Sequence, residues 1–266
     1  MRDDAAVLDT DGALVVTQDT IVEGVHVRED EDLADIAWKL VAVNLSDLAA
    51  KGALPVGVTI SHMLGRDDER FLAGLRDVLE RFDVPLIGGD TVSGSGRRVW
   101  SCTAFGRATT DRVPSRADAL IGDAVYVTGI LGRAMLGMEE RGTGSANDLA
   151  YRQPTPLLKE GRALAPLVHA MMDVSDGLLL DARRLAEASG TTIDIDLLAP
   201  HVADEDRREE CLRWGDDYEL LFTAPPSVSL PVAARRIGSV SPRSTAPLLI
   251  DGEVPNPDAP LGYSHD

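Results

Sequence analysis

The stretch Met172-Asp173-Val174-Ser175-Asp176-Gly177-Leu178 places two carboxylates and a hydroxyl between apolar residues. Acids that merely solvate a surface rarely keep such company. The apolar flanks predict the end of a strand entering a helix, with Gly177 as the hinge. Both Asp side chains would then face a site rather than bulk water. Carboxylates held close together repel, and one of them tends to keep its proton. A cation removes that conflict. Oxygen-only ligands favour a hard metal such as Mg²⁺, above all where substrate phosphates complete the shell.

Other acids sit in similar surroundings. Asp4 precedes Ala5-Ala6-Val7-Leu8, and Asp19 follows Val15-Val16-Thr17. Asp47 lies in Asn44-Leu45-Ser46-Asp47-Leu48-Ala49-Ala50, and Asp90 in Leu86-Ile87-Gly88-Gly89-Asp90-Thr91. An unpaired charge beside apolar neighbours is costly. For any one of them a cap or turn role serves equally well. Taken together they point to a shared site for a polyvalent cation. By contrast, the runs 67–70 and 204–210 read as solvated faces.

Asp216-Asp217-Tyr218-Glu219-Leu220 is a second unusual corner, where acids and one aromatic enter an apolar strand. Read alone, Tyr218 is core and Asp216 a turn residue. His26, after Glu23-Gly24, reads as a turn or packed histidine. Zinc is not expected, because no other His or Cys lies at ligand spacing.

Phosphate-binding loops can be tested by exclusion. A Walker A loop needs Gly-Lys-Ser/Thr, and none of Lys39, Lys51 and Lys159, the only lysines, is followed by Ser or Thr. No His-Arg-Asp catalytic loop and no Gly-x-Gly-x-x-Gly fingerprint occurs. If the chain handles ATP, metal ions rather than lysines must offset the phosphate charge. Arg112 and Arg116 could add a guanidinium clamp, or form surface salt bridges.

The elements that must position these residues alternate between strand and helix. A β-hairpin with an Asp-Gly turn is expected over 5–17, and a helix over 35–50, where apolar residues recur near a 3.6 period. A strand over 56–63, a helix over 67–82, a short buried strand at 85–87 and a strand over 99–105 follow. A connector spans 111–119, with a domain boundary near Asp118, giving domains 1–118 and 119–266. The second half reads as strand 124–128, helix 134–139, a polar loop 141–147, and helices 156–169 and 178–188. Strand 191–197, an exposed charged helix 203–213, and strands 218–223 and 236–240 complete it. The class is α/β (α+β).

The chain of 266 residues is 44% hydrophobic, enough for a real core, and carries a formal net charge of -18. That charge opposes nonspecific nucleic-acid binding. An Asp-rich, Lys-poor surface fits work in high salt, and a GC-rich coding bias accounts for it equally well. Cys102 and Cys211 make no disulfide framework, which fits a reducing compartment. No apolar run approaches membrane-spanning length, and the start at Met1-Arg2-Asp3-Asp4 has no signal-peptide core. A soluble, cytoplasmic protein is expected.

In combination these segments resemble the thiamine-monophosphate kinase family of the AIR-synthetase-like (PurM-like) superfamily. The matching residues are 3–8, Asp19-Thr20-Ile21-Val22-Glu23-Gly24-Val25-His26, 42–53, and Leu86-Ile87-Gly88-Gly89-Asp90-Thr91. In the second half they are Gly122-Asp123, Val127-Thr128-Gly129, Asp173-Val174-Ser175-Asp176-Gly177-Leu178, Asp217-Tyr218-Glu219-Leu220 and Gly262-Tyr263. The Gly-Gly-Asp and Ser-Asp-Gly corners are common to the superfamily. Glu-Gly-Val-His, Ser-Asp-Leu-Ala-Ala and Asp-Tyr-Glu-Leu together are far more specific.

The resemblance implies a two-domain PurM-like fold whose N-terminal domain pairs across a homodimer. It implies an ATP-dependent kinase converting thiamine monophosphate to thiamine diphosphate, without nucleic-acid or membrane partners. Asp4, Thr17, Asp19, Asp47, Asp90, Asp173 and Asp176 would hold several Mg²⁺ ions, with K⁺ a further candidate. Gly89, Asp90, Arg116 and Ser175 would contact ATP, and His26, Asp216 and Tyr263 the thiamine phosphate. Gln18 stands where the family has Thr or Ser, Asp216 where it usually has Glu, and the family usually carries an N-terminal helix and a Gly-rich lead before the Asp-Asp pair. Alternatives are an impaired nucleotide-binding or dimerisation module, or another PurM-like enzyme. Of these, a selenophosphate synthetase would need a Cys near the N-terminus.

Overall fold

The computed structural model describes residues 6–9 and 13–264. Asp4 and the Asp11-Gly12 turn lie outside the described residues. Strands β1 (Ala6–Asp9) and β2 (Ala13–Val22) pair antiparallel. Then come α1 (Leu33–Ala50), β3 (Ala53–Leu64), α2 (Asp68–Phe82), β4 (Leu86–Ser93) and β5 (Val99–Ala108). The five strands form one mixed sheet in the order β1-β2-β5-β3-β4.

The second half contains β6 (Ala124–Thr128), α3 (Arg133–Glu139), α4 (Ala146–Arg152), α5 (Leu158–Leu164) and β7 (Ala170–Asp173). It continues with α6 (Leu178–Ser189), β8 (Thr191–Ile195), α7 (Arg208–Trp214), β9 (Leu220–Ala224), β10 (Ala234–Pro242) and β11 (Leu248–Ile250). Its six strands form a second sheet in the order β11-β8-β10-β6-β9-β7. Among the described residues, no helix is long and apolar enough to cross a membrane.

Helix α1 joins the halves. It starts at Asp32, whose side chain accepts from the Ala34 N–H, and nearly every residue along it is buried. It packs on β2, β3 and β5 from one side and on α5 and β7 from the other. Strands β6, β7 and β9 of the second sheet are buried along their whole length, so they read as mostly apolar runs. Tyr126, Met171 and Phe222 point into the core shared with α1. Val127, Met172 and Leu221 point into a second core under α6.

Several sequence expectations need correction. The strand expected to be short and buried at 85–87 is eight residues long and exposed throughout, because β4 is an edge bonded only to β3. The helix expected over 156–169 shrinks to α5, with Pro156 before it and Pro166 after it. The charged helix expected over 203–213 begins only at Arg208, because the Asp204 side chain accepts from Asp206 N–H and holds a turn. Strand β9 starts at Leu220, because Asp216 and Tyr218 have φ values of 58° and 52°. The loop expected over 141–147 ends early, since Ser145 caps α4 through the Asp148 N–H. Asp68 is no solvated acid: it accepts from Arg98 at 2.6 Å and meets His62 at 2.9 Å.

Candidate active site

The 172–178 stretch folds as expected, with β7 ending at Asp173 and α6 starting after Gly177. Three segments fix the corner between them. The Val174 N–H donates to Glu219 O at 2.8 Å and the Tyr218 N–H to Val174 O at 2.9 Å. The Asp216 N–H donates to Ser175 O and the Tyr263 N–H to Asp176 O, both at 2.9 Å. Gly177 has φ 108°, and a Cβ there would lie 2.6 Å from Arg213 O. Only glycine fits that backbone and that neighbour. Asp181, fully buried on α6, accepts the Ser175 and Asp176 N–H groups at 3.0 Å each. Its burial pushes the carboxyl up to about 7.

Helix α1 brings the acids of the first half to the same place. The Asn44 side chain accepts the Asp19 N–H at 3.1 Å, which ties β2 to the helix. Ser46 donates to Asp173 Oδ2 at 2.5 Å, which ties the helix to β7. Thr17, buried in β2, donates to Asp47 Oδ2. Asn44 and Asp47, three residues apart, share one side of α1, and Ser46 reaches the other.

The result is a cavity of about 1160 Å³ between the halves. Asp19 and Asp47 line it from β2 and α1, and Asp173, Ser175 and Asp176 from the corner. His26 and Arg116 line it as well, as do Asp216 and Tyr263. His26 Nδ1 accepts from the Val22 N–H at 3.0 Å, so the neutral ring carries its proton on Nε2. Gly89 and Asp90 are not in the cavity. They sit on β4, and with β5 and β3 lying between β2 and β4, the offset is about 14 Å at ~4.8 Å per strand. Arg112 also lies apart, donating to His169 O on the surface.

Of the cavity's Lys and Arg side chains, sequence reading singled out only Arg116; Lys39, Arg184 and Arg28 escaped it, and the first two hold acids of the site. Lys39 lines the cavity one helix face with Val43 and Asp47, at spacings of four and eight residues. That spacing was readable once Asp47 had been singled out. Its Nζ donates to Asp216 Oδ2 at 2.5 Å and lies 4.7 Å from the centroid of the Tyr151 ring. The Tyr218 hydroxyl donates to Asp216 Oδ1 at 2.9 Å, so each Asp216 oxygen has a fixed partner. Tyr218 is thus more than core packing; burial raises its phenol far above the usual range, so it stays a donor. The second cation, Arg184 on α6, pairs with both Asp176 and Asp181. Both cations are thus engaged by carboxylates of the site.

Seven carboxylates and four Lys or Arg side chains line the cavity. The acids offer oxygen donors only, which suits a hard divalent cation. Among the described residues, no three His, Cys, Asp or Glu side chains gather into a ready-made metal cage. The donor set fits Mg²⁺ whose remaining ligands come from phosphate oxygens and water.

Comparison with known proteins agrees with this architecture. Residues 2–108 match the family model "AIR synthase related protein, N-terminal domain", and residues 121–235 its C-terminal counterpart. Thiamine-monophosphate kinase of Escherichia coli K12 is 38% identical over 236 residues, covering 80% of this chain and 71% of the relative. The Haemophilus influenzae enzyme of that name is 32% identical over 288 residues, covering 95% and 86%. A solved structure, AaThiL complexed with AMPPCP and TMP, superposes with a TM-score of 0.90 at 29% identity, covering 100% of this chain and 92% of that one. The chain belongs to the AIR synthase related family and, within it, to the thiamine-monophosphate kinases.

Proposed function

We propose that the protein transfers the γ-phosphoryl group of ATP to thiamine monophosphate, giving thiamine diphosphate and ADP. The observation that carries this reading is the cavity between the two halves, where carboxylates outnumber cations although no nucleotide loop is present. A phosphate-transfer site built this way works by alignment and charge neutralisation. An oxygen of the acceptor phosphate forms the new bond to Pγ, the β–γ bridging bond breaks, and ADP leaves. The acceptor oxygen is already ionised, so no general base is required.

Mg²⁺, when bound, neutralises phosphate charge and orients the reacting groups. Asp4, Thr17, Asp19, Asp47, Asp173 and Asp176 are the residues assigned to hold it, and K⁺ is a further candidate cation. Ser175 and Arg116 face ATP. His26, Tyr263 and the Asp216 carboxylate, held by Lys39 and Tyr218, face the thiamine phosphate.

Gly89 and Asp90 enter the reading through a second copy of the chain. The sheet of the first half leaves Val56, Ile87 and Val92 about half exposed, with Ile87 at 54%. Pairing of two such faces would cover this apolar surface and carry β4 toward the other copy's cavity. The working form is therefore a homodimer of chains with domains 1–118 and 119–266, acting in the cytoplasm. A selenophosphate synthetase is disfavoured, because Cys102 and Cys211 are both buried and burial raises both thiols.

The test is acceptor-dependent ADP release by purified protein in MgATP and KCl. Release that appears only with thiamine monophosphate supports the reading. Tight AMPPCP binding without release, over a range of salt, would instead favour a nucleotide-binding module.

A further inference from the structure

The cations around the cavity differ in how they are engaged. Lys39 is spent on Asp216, and the Nε of Arg28 donates to Asp30 at 3.0 Å. Arg184 uses a single nitrogen. Its Nη1 donates to both Asp176 Oδ2 and Asp181 Oδ1, the latter at 2.9 Å. Its Nε and Nη2 donate to no described residue, and the side chain lines the cavity at 34% exposure. A guanidinium carries five N–H donors in a rigid plane. Fixing one edge on two acids therefore aims the remaining donors.

The clamp is itself well anchored. Asp181 is buried, and its other oxygen is taken by the Ser175 and Asp176 N–H groups. Arg184 is thus tied to the same corner that carries Ser175, and any group resting on Ser175 lies within its neighbourhood. A surface ion pair needs no such arrangement: Arg183, one residue earlier, simply pairs with Glu187 along the helix at 2.8 Å.

We infer that Arg184 is an anion receptor of this cavity, a guanidinium clamped by Asp176 and Asp181 that offers its Nε and Nη2 donors to a phosphoryl group. That group belongs either to the nucleotide or to the acceptor monophosphate; only the naming of these two sources rests on the proposed function. Arg184 also supplies fixed positive charge at Asp176, which lowers the demand for a metal ion there.

Arg184→Lys is the principal variant. It keeps a cation beside Asp176 and Asp181 but lacks the planar donor edge, so the fold should hold. Arg184→Met, which removes the cation from Asp176 and Asp181, is the harsher companion. Calorimetry on the full chain would measure Kd for AMPPCP with Mg²⁺, for thiamine monophosphate, and for inorganic pyrophosphate. The expected result is a loss of about tenfold or more for one of the two phosphorylated ligands, the other staying within about twofold. The ligand affected identifies the source, and the melting temperature of the Lys variant should stay close to wild type. An Arg184-dependent pyrophosphate affinity in a chain that binds neither AMPPCP nor thiamine monophosphate would keep the anion site and sink the kinase reading. Affinities unchanged for all three ligands would overturn the inference. So would equal losses for all three with a lowered melting temperature in the Lys variant, which would mark Arg184 as a packing ion pair.

Discussion

The corner after β7 and the edge strand β4 each carry an acid among small residues after an apolar run, in contrasting surroundings. Asp173 is 3% exposed and receives the Ser46 hydroxyl from a helix of the other half. The backbone around it is bonded to 216–219 and to Tyr263. Asp90 stands on a strand exposed along its whole length, and its carboxylate accepts only from the adjoining Thr91 N–H at 2.9 Å among the described residues. One acid is held in place by its own chain. The other is displayed on an exposed strand. The comparison separates an acid that its own chain orients from one that its own chain leaves displayed, which the proposed homodimer would bring to a second copy's cavity.

The largest effect is expected at the enclosed corner. Asp173→Asn should keep the Ser46 contact and the fold but lower turnover by about a hundred- to a thousandfold, read as ADP release with the far-UV spectrum unchanged. A loss below tenfold would remove Asp173 from the phosphate-handling set. Asp90→Asn should cost about a hundredfold in turnover. Equal mixing of Asp90→Asn and Asp173→Asn subunits should then restore about a quarter of wild-type activity, since half of the dimers are mixed and each contains one intact site. Lack of recovery after confirmed subunit exchange would place Asp90 outside the partner's cavity and break the contrast.

Smaller effects sharpen it. Gly177→Ala should destabilise the chain by about 1–3 kcal/mol in urea unfolding, because its Cβ would press on Arg213 O at φ 108°. Gly96 also has positive φ, but a Cβ there meets nothing within 4 Å, so Gly96→Ala should cost less. Lys39→Met should raise KM for thiamine monophosphate by about tenfold while KM for ATP holds, since Lys39 grips Asp216. Equal changes in both constants would assign Lys39 to general packing. The smallest effect is in pH dependence. Burial pushes the Asp217 carboxyl from 3.8 up to about 8. The folded chain therefore keeps a proton that the unfolded chain releases. This contribution is complete below about pH 4 and is lost as pH rises through about 8. Asp217→Asn should accordingly lose less melting temperature than wild type between neutral pH and about pH 9.

Much of the fold and the site could be read directly from local pattern. Helix α1 shows its apolar period, although not its start at the Asp32 cap, and the 172–178 corner shows the switch from an apolar run to small and acidic residues. What escaped depends on distance. Lys39 meets Asp216 across 177 residues, and no local window links them. Arg184 looks like any helical arginine until Asp176 turns back beneath it. Leu86 and Ile87 are apolar and read as a buried strand, yet only the sheet order decides that β4 is an edge. The short helices α4, α5 and α7, of seven residues each, are too brief to display a period; Ser145 caps α4, Pro156 and Pro166 bracket α5, and the Asp204 turn precedes α7.

The measurement that bears most directly on the account is ³¹P NMR of the wild-type protein with MgATP and thiamine monophosphate in KCl. The account predicts that the γ-phosphate signal of ATP falls as the β-phosphate signal of thiamine diphosphate rises, one for one with ADP. Inorganic phosphate as the product, or no change while AMPPCP still binds, would contradict it.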